Sequence, residues 1–213
     1  MAATLTGPGD GNLPLYGGTR SAEYQELIES YGLGLGIRLL AVDPGGEHVG
    51  VACFQQNSDA TWECVWAGEY EPLEFEDWLS EAMVRGQIDI LVVEEFRLFP
   101  DKAAQQTGSD MPTSRLIGAI QYIWRMTQHV EARWPATAPE FHFQPPSIKT
   151  PTRSLMRARS ITSMSKFLKI PLDHAADAEL HGYYHILNTR KEKVHLHLLR
   201  QLQDKRANRR KKK

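Results

Sequence analysis

IRLLAVDPGGEHVGVACF (residues 37–54) holds two short apolar runs, the first ending in Asp43, joined by a Pro-Gly-Gly-Glu turn. Runs of this length bounded by turn residues read as β-strands. A third, TWECVWAGEY (61–70), follows another polar turn, so the three form an antiparallel meander. Next, PLEFEDWLSEAMVRG (72–86) spaces Leu73, Phe75, Trp78, Leu79, Ala82 and Met83 as a helix stopped by Gly86. IDILVVEEF (88–96) is nearly all apolar, as in a strand covered on both faces. A helix through Leu116, Ile120, Ile123 and Val130, capped by Thr113 or Ser114, a fifth strand FHFQ (141–144) and a last core helix (173–188) complete the order βββαβαβα. That order predicts an α/β fold: a five-stranded mixed sheet with helices on both faces, its first, fourth and fifth strands parallel.

Composition bounds the rest. The chain has 213 residues, 41% of them hydrophobic, and a formal charge of −1. Residues 1–99 contain 4 basic and 17 acidic residues, whereas residues 100–213 contain 21 basic and 9 acidic. No apolar run approaches the roughly 20 residues of a membrane span, and the first residues lack the pattern of a signal peptide, so a cytoplasmic location is expected. Cys53 and Cys64 are isolated in apolar surroundings and read as buried thiols. Three segments emerge: an N-terminal arm (1–36, with one short helix from Ser21), a core domain (37–188) and a basic helix or tail (189–213).

Asp43 ends the first strand and Glu94-Glu95 the fourth, so parallel neighbours would bring their carboxylates to one sheet edge, where ligands of open α/β sheets bind. Strand alternation lets only one of the two glutamates face that edge, without saying which. On the last helix, His174, Asp177, His181 and His185 share a stripe about 80° wide, beside the small residues Ala175, Ala178 and Gly182. Small side chains permit close approach to the sheet, which would hold His174 and Asp177 at the strand ends. His181 lies about 6 Å along the axis from Asp177 and stays open as a participant; His185, about 12 Å away, is too far. Asp173 reads as an N-cap. Clustered acids at the end of a buried strand ask for a divalent cation.

LLAVDPGGEHVGVACF, ILVVEEF and DHAADAEL, in this order and spacing, resemble the active-site motifs of RuvC-like Holliday-junction resolvases of the ribonuclease H superfamily, in a phage-type version. The resemblance covers residues 37–188. It implies a ribonuclease H-like fold, a homodimer, two Mg²⁺ ions with Mn²⁺ as a substitute, and paired nicks in branched DNA such as four-way junctions. It also implies Asp43, Glu94, His174 and Asp177 as the catalytic and metal-binding set, Phe96 or Phe99 as a wedge at the junction, and the host cytoplasm if the protein is phage-encoded. A broader nuclease acting on flap DNA or RNA, and a noncatalytic nucleic-acid-binding protein, are the alternatives. A nucleotide cofactor is not expected, because Asp43-Pro44-Gly45 is followed by no second phosphate loop.

Residues 145–170 contain Lys149, Arg153, Arg157, Arg159, Lys166 and Lys169 and no acid, a pattern suited to phosphates. KRANRRKKK (205–213) reads as a nonspecific DNA-binding arm. VHLHLL (194–199) reads as an amphipathic helix leading to it, and the acidic run Glu63–Glu81 as a solvated face turned away from DNA.

Overall fold

The computed structural model describes residues 37–57, 59–84, 86–96, 111–128, 139–168, 173–196, 199–201, 203–204 and 207–208. The N-terminal arm with its expected helix, Phe99, Lys169 and most of the basic tail lie outside the described residues.

Strands β1 (Ile37–Pro44), β2 (Val49–Gln56), β3 (Trp62–Tyr70), β4 (Ile88–Glu94) and β5 (Glu140–Gln144) form one sheet in the order β3-β2-β1-β4-β5. β1 to β3 pair antiparallel, while β4 and β5 run parallel to β1. This is the mixed sheet expected from the sequence. Helices α1 (Pro72–Val84), α2 (Pro112–Gln128), α3 (Lys149–Ala158), α4 (Met164–Leu168) and α5 (Asp173–Tyr184) surround it, and α5 continues into a π-helical turn, His185–Thr189.

Strand alternation sorts the side chains. Leu39, Ala41, Asp43, Gly50, Ala52 and Phe54 point to the face covered by α5, and the intervening residues point to α1 and α2. On the α1 side, Tyr70 stacks on Trp78 and meets Phe75. On the other, the small stripe of α5 lets the helix lie on bare strand backbone. A Cβ at Gly50 would stand 2.0 Å from the carbonyl oxygen of His174, and one at Gly182 would stand 2.1 Å from the Phe54 ring. Gly50→Ala must therefore push α5 off the sheet. It is expected to destabilise the fold by about 1–3 kcal/mol, read as a lower urea midpoint.

Three local expectations are corrected. Thr113 and Ser114 lie inside the first turn of α2, which opens at Pro112, a residue suited to the first helical position. Val194 is not helical: it bridges in parallel to Trp62, with Trp62 N donating to Lys193 O and His195 N to Trp62 O. This segment covers part of the free edge of β3. The acidic run is only partly solvated, since Glu63 and Glu69 are buried. Cys53 and Cys64 are buried and reduced, as expected. Among the described residues, no helix is long and apolar enough to cross a membrane.

Candidate active site

The parallel pairing of Val42 with Val93 carries Asp43 and Glu94 side by side at the carboxyl ends of their strands, on the face covered by α5. Because α5 rests on Gly50, its first turn reaches them: His174 Nδ1 is 2.7 Å from Asp43 Oδ2. Glu69, from the supposedly solvated run, accepts a 3.1 Å hydrogen bond from Ala175 N and so satisfies one free N–H at the start of this helix. Buried Glu179 does the same for α4, accepting from the N–H groups of Met164 and Ser165 and from Ser163 Oγ. Neither acid had been singled out by its surroundings in the sequence.

Lys149 is the larger correction. Expected to face DNA, it turns its ammonium inward, 2.7 Å from Glu94 Oε2, 2.7 Å from Asp177 Oδ2 and 3.5 Å from Asp43 Oδ1. Carboxylates from two strands and a helix thus converge on one cation. Arg153 closes the outer side through a 2.8 Å bond to Asp177 Oδ1. Glu94 is also held from beneath: His181, fully buried, donates through Nε2 to Glu94 Oε2 and meets Gln144 Oε1 through Nδ1, both at 3.0 Å. His181 therefore supports a site carboxylate.

Burial raises Asp43 to about 6, with neighbouring Glu94 adding to it and His174 and Lys149 opposing it. Burial also works against the charge of Glu94, but hydrogen bonds from His181, Asp43 and Lys149 outweigh it and hold that group at about 2. The pair thus titrates in two steps, Glu94 losing its proton at about 2 and Asp43 keeping its own up to about 6. Burial disfavours the Lys149 ammonium, yet the three acids lift it to about 12. His174 is raised, chiefly by its bond to Asp43.

No protein-family model matches the chain, and no curated protein matches it. Three solved structures similar to it are Holliday-junction resolvases. The RuvC of T. thermophilus, in complex with a Holliday-junction substrate, shares 13% identity at a TM-score of 0.46 over 71% of this chain and 96% of its own. Fowlpox virus resolvase, in complex with substrate Holliday-junction DNA, shares 13% at 0.43 over 68% and 95%. The yeast mitochondrial resolvase Ydc2 shares 12% at 0.46 over 78% and 85%. At such identities the chemistry has to be read from this chain's own side chains.

A cleft of about 390 Å³ opens over the acids, lined by Asp43, Glu94, Glu95, Phe96, Thr113, Lys149, His174 and Asp177. Asp173 lies at its rim, in the first turn of α5, and also lines a second groove of about 690 Å³ shared by Arg153, Arg157 and Lys166. Arg157, Arg159 and Lys166 are exposed. The donor set of three carboxylates and one imidazole, already gathered round a cation, suits hard divalent ions, with the imidazole favouring Mn²⁺ more than carboxylates alone would.

Proposed function

We propose that this chain is a divalent-metal-dependent endonuclease that resolves Holliday junctions by paired nicks. The observation that carries this reading is the convergence of Asp43, Glu94 and Asp177 on a single cationic group, in a cleft that shares Asp173 with a groove lined by Arg153, Arg157 and Lys166. Asp43, Glu94, Asp177 and His174 would hold Mg²⁺, as two ions, with Mn²⁺ able to replace it. When bound, such ions activate water and offset charge on the leaving 3′ oxygen of a phosphodiester.

The chain's own residues do the rest. His174 fixes the rotamer of Asp43, and His181, braced by Gln144, fixes that of Glu94. Lys149 neutralises the acids until ions and DNA take its place. Arg157, Arg159 and Lys166, with Lys169 and the terminal basic residues, supply phosphate contacts. Phe96 at the cleft and Phe99, which lies outside the described residues, are the candidates for stacking on bases at the junction centre. Residues 37–188 form the nuclease unit, and two symmetric cuts require two copies, hence a homodimer.

The test compares a four-way junction with flap, linear duplex and single-stranded DNA in Mg²⁺, Mn²⁺ or chelator. Symmetric nicks in the junction, lost with chelator, are expected. Equal cutting of flaps would shift the reading to a general structure-selective nuclease, and binding without any cutting to a noncatalytic DNA-binding protein. A pH dependence follows from Asp43. Its raised carboxyl retains a proton below about 6, and that proton must leave for a cation to bind. Mg²⁺ affinity measured by calorimetry should therefore fall about tenfold per pH unit below that point and level off above it.

A further inference from the structure

A second group of metal-competent side chains stands on the same sheet face, at the other end of β5. Glu140 and His142 are two residues apart, so both face the helix layer, and His185 opens the π-helical turn one helical turn beyond His181. One ligand atom from each of the three lies within 4.8 Å of the other two. His142 Nε2 is 2.9 Å from Glu140 Oε2, and the rings of His142 and His185 are 4.6 Å apart, inclined at 49°. Glu140 is four residues from Gln144, about 13 Å along the strand, so this group is separate from the acids at the strand ends.

The decisive observation is at His185. The residue is 2% exposed, and its Nε2 has no hydrogen-bond partner among the described residues. A buried ring nitrogen left without a partner costs free energy that a hydrogen bond or a metal bond would recover. We propose that Glu140, His142 and His185 form a binding site for a transition-metal ion of the Zn²⁺ class. Two imidazoles and one carboxylate are a set that Zn²⁺ accepts while leaving a fourth position to water, and the partly exposed Glu140 and His142 open the site to solvent. Imidazole-rich ligation also separates this site from the carboxylate-rich cleft, which suits Mg²⁺.

The local electrostatics agree. Burial, with the nearby His142 and Arg190, lowers His185 to about 4, so its ring is neutral and its lone pair free at neutral pH. The bond to His142 and the charge of Arg190 hold Glu140 ionised. Arg190 Nη1 approaches Glu140 Oε1 only to 3.8 Å and keeps a separate 3.0 Å bond to Glu192, so Glu140 can turn to an ion without stranding the arginine. A bound ion would clasp edge strand β5 to the end of α5, the helix that carries His174, Asp177 and His181.

The experiment is a calorimetric Zn²⁺ titration of the full chain after chelator treatment and dialysis, in excess Mg²⁺, for the wild type and for Asp43→Asn, His142→Gln and Glu140→Gln. One Zn²⁺ per chain is expected for the wild type and, equally, for Asp43→Asn. His142→Gln and Glu140→Gln, both at partly exposed positions that spare the core, should weaken binding by upwards of about 100-fold, more than losing a hydrogen-bond partner of a ligand does. Zn²⁺ should also raise the thermal midpoint only of the two chains that keep the site. Absence of wild-type binding, indifference to both cluster substitutions, or loss of binding in Asp43→Asn would overturn the proposal. None of these outcomes depends on nuclease activity, so the two readings stand or fall separately.

Discussion

Asp43→Asn is expected to reduce cleavage of a four-way junction by about 10³-fold or more while leaving junction binding within about twofold of wild type. The size follows from the several kcal/mol that divalent ions contribute to phosphodiester cleavage, each 1.36 kcal/mol being a factor of ten. Asp43 is the most buried of the three acids and the one bonded to His174, so a neutral amide there removes a charged ligand oxygen from the centre of the set. The fold should survive, because asparagine keeps the shape and an acceptor for His174, and because burial already disfavours the ionised form at this position. Lys149 retains Glu94 and Asp177. Cleavage is measured in single turnover, and binding by gel shift without divalent ions. Near-normal cleavage would remove Asp43, and with it the proposed centre, from consideration.

How this site was legible in advance depends on which force placed each residue. Strand periodicity and the parallel crossover put Asp43 beside Glu94, and the same alternation turns Glu94 rather than Glu95 onto His181 and Lys149. Helical periodicity put His174 and Asp177 on one stripe, and Gly50 supplied the close approach that the small residues of α5 require. What periodicity cannot rank is the destination of a charge. Lys149 belongs to an acid-free basic segment whose other described members are exposed or bind Asp177, and only the tertiary meeting with three carboxylates selects it. Glu69 and Glu179 look like ordinary surface acids, yet each is buried because a helix end nearby has N–H groups to satisfy. Glu140 lies just outside the strand expected at 141–144, so its pairing with His142 was not legible from that reading. Its partner His185 lay outside the reach of the helix stripe toward Asp177, and its real neighbour is the edge strand.

Lys149→Met separates stability from metal affinity, with opposite signs. In the wild type the ammonium offsets three carboxylates gathered in a partly buried cleft. Its removal leaves their charges uncompensated except for Arg153 and the histidines. Breaking a fully buried pair in this way costs about 3–5 kcal/mol; at 17% exposure with solvent entering from the cleft, about 2 kcal/mol is expected, read as a lower urea midpoint in chelator. Added Mg²⁺ acts in the other direction. In the wild type an entering cation must displace the ammonium from the oxygens it needs, and in the variant it does not, so Mg²⁺ should bind at least about tenfold more tightly and restore more stability than it does in the wild type. Calorimetric titration and urea unfolding with and without Mg²⁺ decide the matter. A variant that loses stability yet binds Mg²⁺ no better would mean that Lys149 and the ion do not compete for the same carboxylates. The cation position defined by Asp43, Glu94 and Asp177 would then be a salt-bridge centre rather than a metal centre.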